Sequence, residues 1–387
     1  MFDLYSGNTP SRLNKEHFKG TVNWISSGEL KEHYIYSSKE QISEEAAKSL
    51  KLLPVGTFVI AIYGLEAEGV RGTGSIIQEP STISQACMSF IPKGVIENEF
   101  LYSWYKKHGN VIGIRYAQGT KQQNLSYDIL EKFRIAYPNT KEQEKLNKFI
   151  SLLDERIATQ NKIIEDLKKL KSAIVEKVFC SPNQEYPMCR IEGFEQALST
   201  YKMSDFSSRI ATKNKDSKCS LVLTIAAQYG LVNQESFFNK SVASENLTGY
   251  YLLHKGEFAY NRSYSAGYDW GAVKRLDNYD EGVLSTLYIC FKINETIVDS
   301  DYLTYYFEST KWHRGLSDIA GEGARNHGLL NVSMADYFNT KHRFPVIEEQ
   351  KAIAKILNAI TEKERKATLL GECYQKQKQY LLRQMFI

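Results

Sequence analysis

The feature that most constrains this chain is a duplication inside it. Pro138-Asn-Thr-Lys-Glu142-Gln143 is echoed by Pro345-Val-Ile-Glu-Glu349-Gln350, 207 residues later. The match runs without a gap to Phe179 and Phe386, and Lys148/Lys355, Glu155/Glu362, Lys169/Lys376 and Lys171/Lys378 are identical along the way. Both copies open with proline and reach Glu-Gln four residues later, a helix-start signal, and no later proline interrupts either. In the first copy Ile150, Leu153, Ile157, Ile164, Leu167, Ile174 and Val178 fall on alternating steps of three and four, the spacing of a heptad seam, with Gln160 and Lys171 as polar interruptions. In the second copy the seam keeps Leu357, Ile360, Tyr374, Leu381 and Met385 but passes through Glu364, Ala367 and Gly371. Its weak middle needs the stronger helix, or a partner protein, opposite it.

Upstream of each helix lies a β-rich domain, over 1–137 and 204–344, with 138–180 and 345–387 as the helices and 181–203 as a linker. The domains share landmarks in the same order. Leu53-Pro-Val-Gly56-Thr-Phe58 answers Leu253-His-Lys-Gly256-Glu-Phe258, and an aromatic helix is expected over Phe100–Tyr105 and again over Tyr302–Phe307. Strands are expected over Thr57–Ile62 and Leu284–Phe291. A polar glycine loop follows in each domain, at 118–124 and 320–328, and each closes on a strand-like run, Phe133–Tyr137 or Lys341–Phe344. A lead-in, Glu185–Lys202, precedes Met203-Ser-Asp-Phe206, whereas the first repeat opens at Met1-Phe-Asp-Leu4. The first repeat is therefore expected to start late or to be a short form. The fold class is α+β: two tandem mixed domains and two long helices pairing as an antiparallel coiled coil, with pseudo-two-fold symmetry.

Order and duplication together make the chain resemble the specificity subunits of type I restriction-modification systems. The carrying residues are Thr9-Pro10-Ser11-Arg12, Val22-Asn23-Trp24-Ile25-Ser26 with Gly28-Glu29-Leu30, Ser84-Gln85-Ala86-Cys87, Gly119–Ser126, and both Pro-x-x-x-Glu-Gln helix entries. The resemblance implies two target-recognition domains held apart by the helices and reading a bipartite site on double-stranded DNA. It implies as partners two modification subunits, which bind S-adenosylmethionine, and restriction subunits, which use ATP and magnesium. No cofactor is then expected in this chain.

The residues agree with a non-catalytic role. There is no Pro-Pro pair for an amino-methyltransferase tetrapeptide, no P-loop and no C-x-x-C pair. Gly69-Val-Arg-Gly72-Thr-Gly74 is followed by strand-like Ser75-Ile76-Ile77, so a hairpin turn is expected rather than a phosphate loop. Six scattered cysteines, no export signal and no long apolar run suit a cytoplasmic protein away from membranes. Net charge is +4, and 142–179 with 349–386 carry +5 between them, so neither domain is coated in lysine and partners would supply much of any phosphate clamp. Two other classes remain open, a methylase or nuclease fused to its own reader and a coiled-coil scaffold.

Base readout needs two-point hydrogen bonding, from arginine to guanine or from asparagine and glutamine to adenine. In the first domain the candidates are Arg12, Arg71, Arg115, Lys121, Gln122, Gln123 and Asn124, with Thr9 and Ser11 as phosphate donors. In the second they are Gln228, Asn261, Arg262, Tyr264, Lys274, Arg275, Arg325 and Asn326.

Overall fold

The computed structural model describes residues 1–67, 69–240, 246–263, 267–319, 325–326, 329–330 and 332–386, with backbone alone at Asp216, Arg325, Asn326 and Leu329. The chain divides into two compact units, Met1–Asn161 with Leu369–Ile387, and Lys162–Thr368. Each long helix therefore contributes to both.

In the first unit β1 (Phe2–Ser6), β2 (Tyr34–Ile35), β3 (Phe58–Ala61), β4 (Gly74–Ile77) and β5 (Cys87–Pro92) form one sheet in the order β1-β5-β3-β4-β2. β3 and β4 are an antiparallel hairpin, so the glycine-rich 69–74 stretch is the expected turn region. Helix α1 (Asn98–Tyr116) is buried all round over Phe100–Tyr105 and then only at Gly109, Ile112 and Gly113. Tyr102 and Tyr105 meet Phe58 edge to face. A short helix α2 (Tyr127–Glu131) precedes the long helix α3 (Thr140–Val178).

The second unit repeats the plan. Strand β6 (Ser199–Lys202) leads into a helical turn α4 (Met203–Phe206), then β7 (Ser207–Arg209), β8 (Phe258–Asn261), β9 (Ala272–Arg275) and β10 (Ile289–Ile293). The last four make a sheet in the order β7-β10-β8-β9. Helices α5 (Ser300–Glu308) and α6 (Met334–Asn339), strand β11 (Lys341–Phe344) and the long helix α7 (Ile347–Met385) complete the chain. Phe258 faces Phe291 as Phe58 faces Phe90.

The Glu-Gln helix entries are explained by one buried side chain each. Gln143 is fully buried; its Oε1 accepts from Glu97 N (2.9 Å) and its Nε2 donates to the carbonyls of Val95 (3.0 Å) and Pro138 (2.9 Å). Gln350 makes the same set with Asp299 N (2.9 Å), Ile297 O (3.1 Å) and Pro345 O (2.9 Å). Each glutamine thus ties the first turn of a long helix to the start of the aromatic helix. At the far ends the long helices exchange roles. Phe179, past the end of α3, packs on Tyr302 (5.0 Å between ring centroids) in the second unit. Phe386, past the end of α7, packs on Phe100 (5.2 Å) in the first.

Inside the first unit the start of α3 runs antiparallel to the end of α7. Ile150 and Leu153 share a core with Leu382, Met385 and Phe386, Asp154 pairs with Lys378, and the Arg156 guanidinium lies 4.6 Å from the Tyr374 ring. In the second unit Ile174, Val175 and Val178 share a core with Ile353, Ala354 and Leu357. The remaining seam residues are shielded as heptad spacing requires: Ile157 is buried, Ile164 and Leu167 are half-buried between exposed neighbours, and Ile360 and Leu381 are half-buried.

Two strand expectations change. Leu284–Phe291 is not one strand: Leu284 ends a short strand (Glu281–Leu284), and a turn at Ser285, whose carbonyl accepts from Tyr288 N, separates it from β10. Phe133–Tyr137 is not in a strand, although β11 is its counterpart. β11 is a strand because β6, in the lead-in, pairs with it antiparallel, and no such partner lies beside 133–137 among the described residues. Met1–Leu4 also differs from Met203–Phe206, with Phe2–Leu4 lying in β1. In the lead-in, Lys202 N donates to Asp205 and caps the turn, while Asp3 pairs with Lys93 instead.

His342 on β11 is 2% exposed and both ring nitrogens are bonded. Thr340 Oγ1 donates to Tyr337 O, so it accepts from His342 Nε2–H, and Nδ1 accepts from the Tyr306 hydroxyl. Burial of this neutral ring lowers its pKa from 6.5 to about 3. The unfolded chain therefore binds the proton first, and stability is lost as pH falls from 6.5 towards 3. Chemical denaturation between pH 6.5 and 5 should show a slope approaching about 1.4 kcal/mol per pH unit that His342→Phe abolishes; equal slopes would contradict it. Gln143→Ala and Gln350→Ala should each cost about 2–3 kcal/mol by stranding buried peptide groups, read as faster hydrogen exchange confined to the mutated unit.

Candidate nucleic-acid interface

The structure gathers most first-unit candidates on two adjoining loops, the β3–β4 connection and 118–124. Asn124 and Gln118 exchange backbone hydrogen bonds (2.8 and 2.9 Å), closing the second loop so that Lys121 and Gln122 stand exposed at its tip. Arg71 Nη2 donates to Gln123 Oε1 (2.8 Å), Gln123 N donates to Glu66 Oε2 (2.8 Å) and Leu65 N to Gln123 O (3.1 Å). The Glu66 carboxyl sits below the usual range, chiefly because it accepts from Gln123 N. Glycines make the approach possible. A Cβ on Gly72 (φ +72°) would lie 2.7 Å from Asn110 N, and one on Gly113 would lie 2.5 Å from Arg71 Cγ. Arg115 is exposed in the last turn of α1.

Thr9, Ser11 and Arg12 form a separate group after β1. Thr9 Oγ1 is hydrogen-bonded to Gln85, and Ser11 is exposed. Arg12 makes a two-point pair with Glu40 (3.0 and 2.7 Å) and lies over Phe18 and Trp24. That hydrogen bonding holds the Glu40 carboxyl below its usual range.

In the second unit Gln228 and Lys274 line one cavity of about 300 Å³ with Tyr268, Trp312 and His313. Burial pushes the Lys274 ammonium down; nearby Glu308 opposes the shift and Lys171 adds to it. Burial also lowers His313. Arg325 and Asn326 lie in a short strand paired with Leu329–Leu330, and Leu330 N donates to Arg262 O, so this hairpin adjoins Arg262. Asn261 ends β8 and accepts from Ser263 N. Tyr264 lies outside the described residues.

In this unit too, two arginines have internal partners that sequence reading did not foresee. Arg262 donates to the carbonyls of Val332 (3.1 Å) and Leu287 (3.2 Å). Arg275 binds Asp277 (2.6 Å), Ser300 (2.8 Å) and Asp301 (2.7 Å). Conversely, His313 is not among the sequence candidates, and only the fold brings it beside Gln228 and Lys274. Among the described residues no cluster of His, Cys, Asp and Glu could hold a metal ion. No helix of the described residues is long and apolar enough to cross a membrane.

Residues 1–169 match the family model described as the type I restriction modification DNA specificity domain. Over those residues the chain is similar to type I restriction-modification specificity subunits. The MjaIX specificity subunit of Methanocaldococcus jannaschii is 29% identical over 183 residues, 46% of this chain and 41% of that protein. The EcoR124I/EcoR124II specificity subunit of Escherichia coli is 30% identical over 170 residues, 43% of this chain and 41% of that protein. The match thus spans 41% of the length of either relative. The crystal structure of a type I S subunit from M. genitalium has a TM-score of 0.55 at 16% identity, covering 100% of this chain and 94% of that one. A chain from a structural study of type I complex assembly and conformational transition has a TM-score of 0.56 at 13% identity, covering 99% and 96%. These two likenesses support the α+β, two-domain fold.

The Arg71–Gln123 tie predicts how these loops are held. Arg71→Ala and Gly113→Ala, the second by displacing the arginine, should each speed hydrogen exchange of the Gln123 amide by about ten- to a hundredfold, the equivalent of a charged hydrogen bond. Unchanged exchange would show that the loop is held elsewhere.

Proposed function

We propose that this chain is the DNA-reading subunit of a type I modification and restriction assembly, in which each unit reads one half of a bipartite duplex target. The observation that carries this reading is the use of one framework twice with different loops. The β3–β4 connection and 118–124 present Arg71, Lys121, Gln122 and Gln123, while the corresponding β8–β9 connection and 319–332 carry Arg262, Arg325 and Asn326. A shared scaffold with divergent polar loops suits two readers of different sequences.

In this reading the chain has no catalytic centre. Two modification subunits bring S-adenosylmethionine and perform methyl transfer, and restriction subunits bring ATP and magnesium, all in the cytoplasm. The two long helices act as the spacer between half-sites; 144–178 alone would make a rod of roughly 53 Å at ~1.5 Å per residue.

The test is methylome sequencing of cells expressing the assembled system. Gln122→Ala with Asn124→Ala should relax or abolish recognition of one half-site. Arg325→Ala with Asn326→Ala should do so for the other. Each lost two-point contact is expected to cost about 1–3 kcal/mol. If either double variant degraded both halves equally, modular reading would be wrong.

A further inference from the structure

The two units share a framework, yet one connection in it is built in two different ways. In the first unit Val22–Ile25 pairs antiparallel with Glu40–Ile42 and parallel with Ser81–Ile83. In the second, Leu223–Ala226 pairs antiparallel with Gly230–Asn233, and Val222 just ahead of it bridges Val283 in parallel. Each pair runs into a short helix, capped by Ser43 in one unit and Asn233 in the other. The segment joining the paired strands runs over 26–39 in the first unit and only over 227–229 in the second.

The longer segment is spent on its own unit. Glu29 accepts from Ser26 N (2.9 Å) and Lys39 N (2.6 Å), β2 joins the main sheet beside β4, and His33 bonds Glu99 (2.9 Å). The shorter segment is a bare tip. Tyr229 N donates to Ala226 O (2.9 Å), and Gly230, at φ +89°, carries the chain into the second strand. Below the tip Leu223, Ile225, Ala226 and Leu231 are buried, which anchors the hairpin.

At the tip Gln228 is exposed and Tyr229 is 68% exposed, and neither side chain makes a hydrogen bond among the described residues. The Tyr229 ring lies 6.3 Å from that of Phe237, which lies 5.0 Å from that of Phe238, and both phenyl rings are 45% exposed. Three exposed rings side by side make an apolar patch of the kind that marks a binding surface. Its surroundings suit a nucleic acid. Gln228 shares a cavity with Lys274 and with Tyr268 of the β8–β9 connection. Glu308, the carboxylate lining that cavity, is engaged by Lys171 (3.2 Å), which leaves Lys274 as the excess charge beside the tip.

We propose that this tip enters the major groove of the half-site read by the second unit, with the Gln228 amide on an adenine edge and the Tyr229 ring on the methyl group of a neighbouring thymine. This rests on the reading of the chain as a DNA-reading subunit. It adds an element with no equivalent in the first unit and a specificity-determining residue, Tyr229, that hydrogen-bonding capacity alone does not single out. The major groove is about 12 Å wide and admits a two-stranded ribbon, and it is the groove in which adenine offers a two-point edge and thymine its methyl group. Phe237 backs the Tyr229 ring, so the apolar contact is held in place from the protein side.

The experiment combines methylome sequencing of cells expressing the assembled system with methylation rates of the purified assembly on a duplex carrying the recovered target. Tyr229→Ala should lower discrimination at one A·T position by about tenfold, in the half-site that Arg325→Ala with Asn326→Ala affects. The other half-site and the thermal midpoint should not change, and Tyr229→Phe should keep full discrimination. Uracil in place of that thymine should slow the unmodified assembly about as much as Tyr229→Ala does, and should slow the variant no further. Gln228→Ala should relax the adjacent position. Unchanged recognition in Tyr229→Ala, or full rate on the uracil duplex, would overturn the proposal. So would loss of co-purifying subunits in Tyr229→Ala, which would make the patch a protein-docking surface. The two readings fail separately. If Arg325→Ala with Asn326→Ala degraded both halves while Tyr229→Ala altered one position, modular reading would fall and the groove contact would stand. The reverse result would remove the groove contact alone.

Discussion

The structure depends on two buried glutamines. A side-chain amide offers one acceptor and two donors, and Gln143 and Gln350 place all three on backbone groups that the fold would otherwise strand. The bonded groups are the amide of the residue that caps an aromatic helix, a carbonyl just before it, and the proline carbonyl that opens a long helix. One side chain thereby fixes the direction in which each long helix leaves its domain. A glutamate would lack the donors, and an alanine would leave buried peptide groups unpaired. The duplication preserves this residue for a geometric reason, while the loops above it are free to differ.

Much of this was legible in the sequence because it rests on local pattern. The 207-residue offset marked Gln143 and Gln350, heptad spacing picked out Ile150, Ile157 and Leu357 as inward-facing, and the aromatic runs foretold α1 and α5. What stayed hidden depends on contacts distant along the chain. Phe133–Tyr137 reads as strand by composition, yet a strand exists only where another pairs with it. Leu284–Phe291 reads as one apolar run, but Ser285 can bond to its own neighbourhood and turns the chain.

The candidate site was less legible. Arg262 and Arg275 look like free readers in sequence, because nothing local announces that Val332, Leu287 and Asp301 come within reach. Arg71 and Gln123 were singled out separately, and only folding ties one to the other. The same fold that supplies internal partners to some arginines leaves Lys121 and Gln122 bare at a loop tip.

The exchanged helix ends bear on the order in which the protein can mature. The first unit's strands and α1 leave the ribosome early, yet the core that receives Phe100 also contains Leu382, Met385 and Phe386. Those residues are synthesised only after the whole second domain. The second unit meets the opposite situation, since Phe179 is already made when Tyr302 and Tyr306 arrive. During translation the later unit can therefore complete its core first, and the earlier one holds an unfinished apolar face until α7 returns to it.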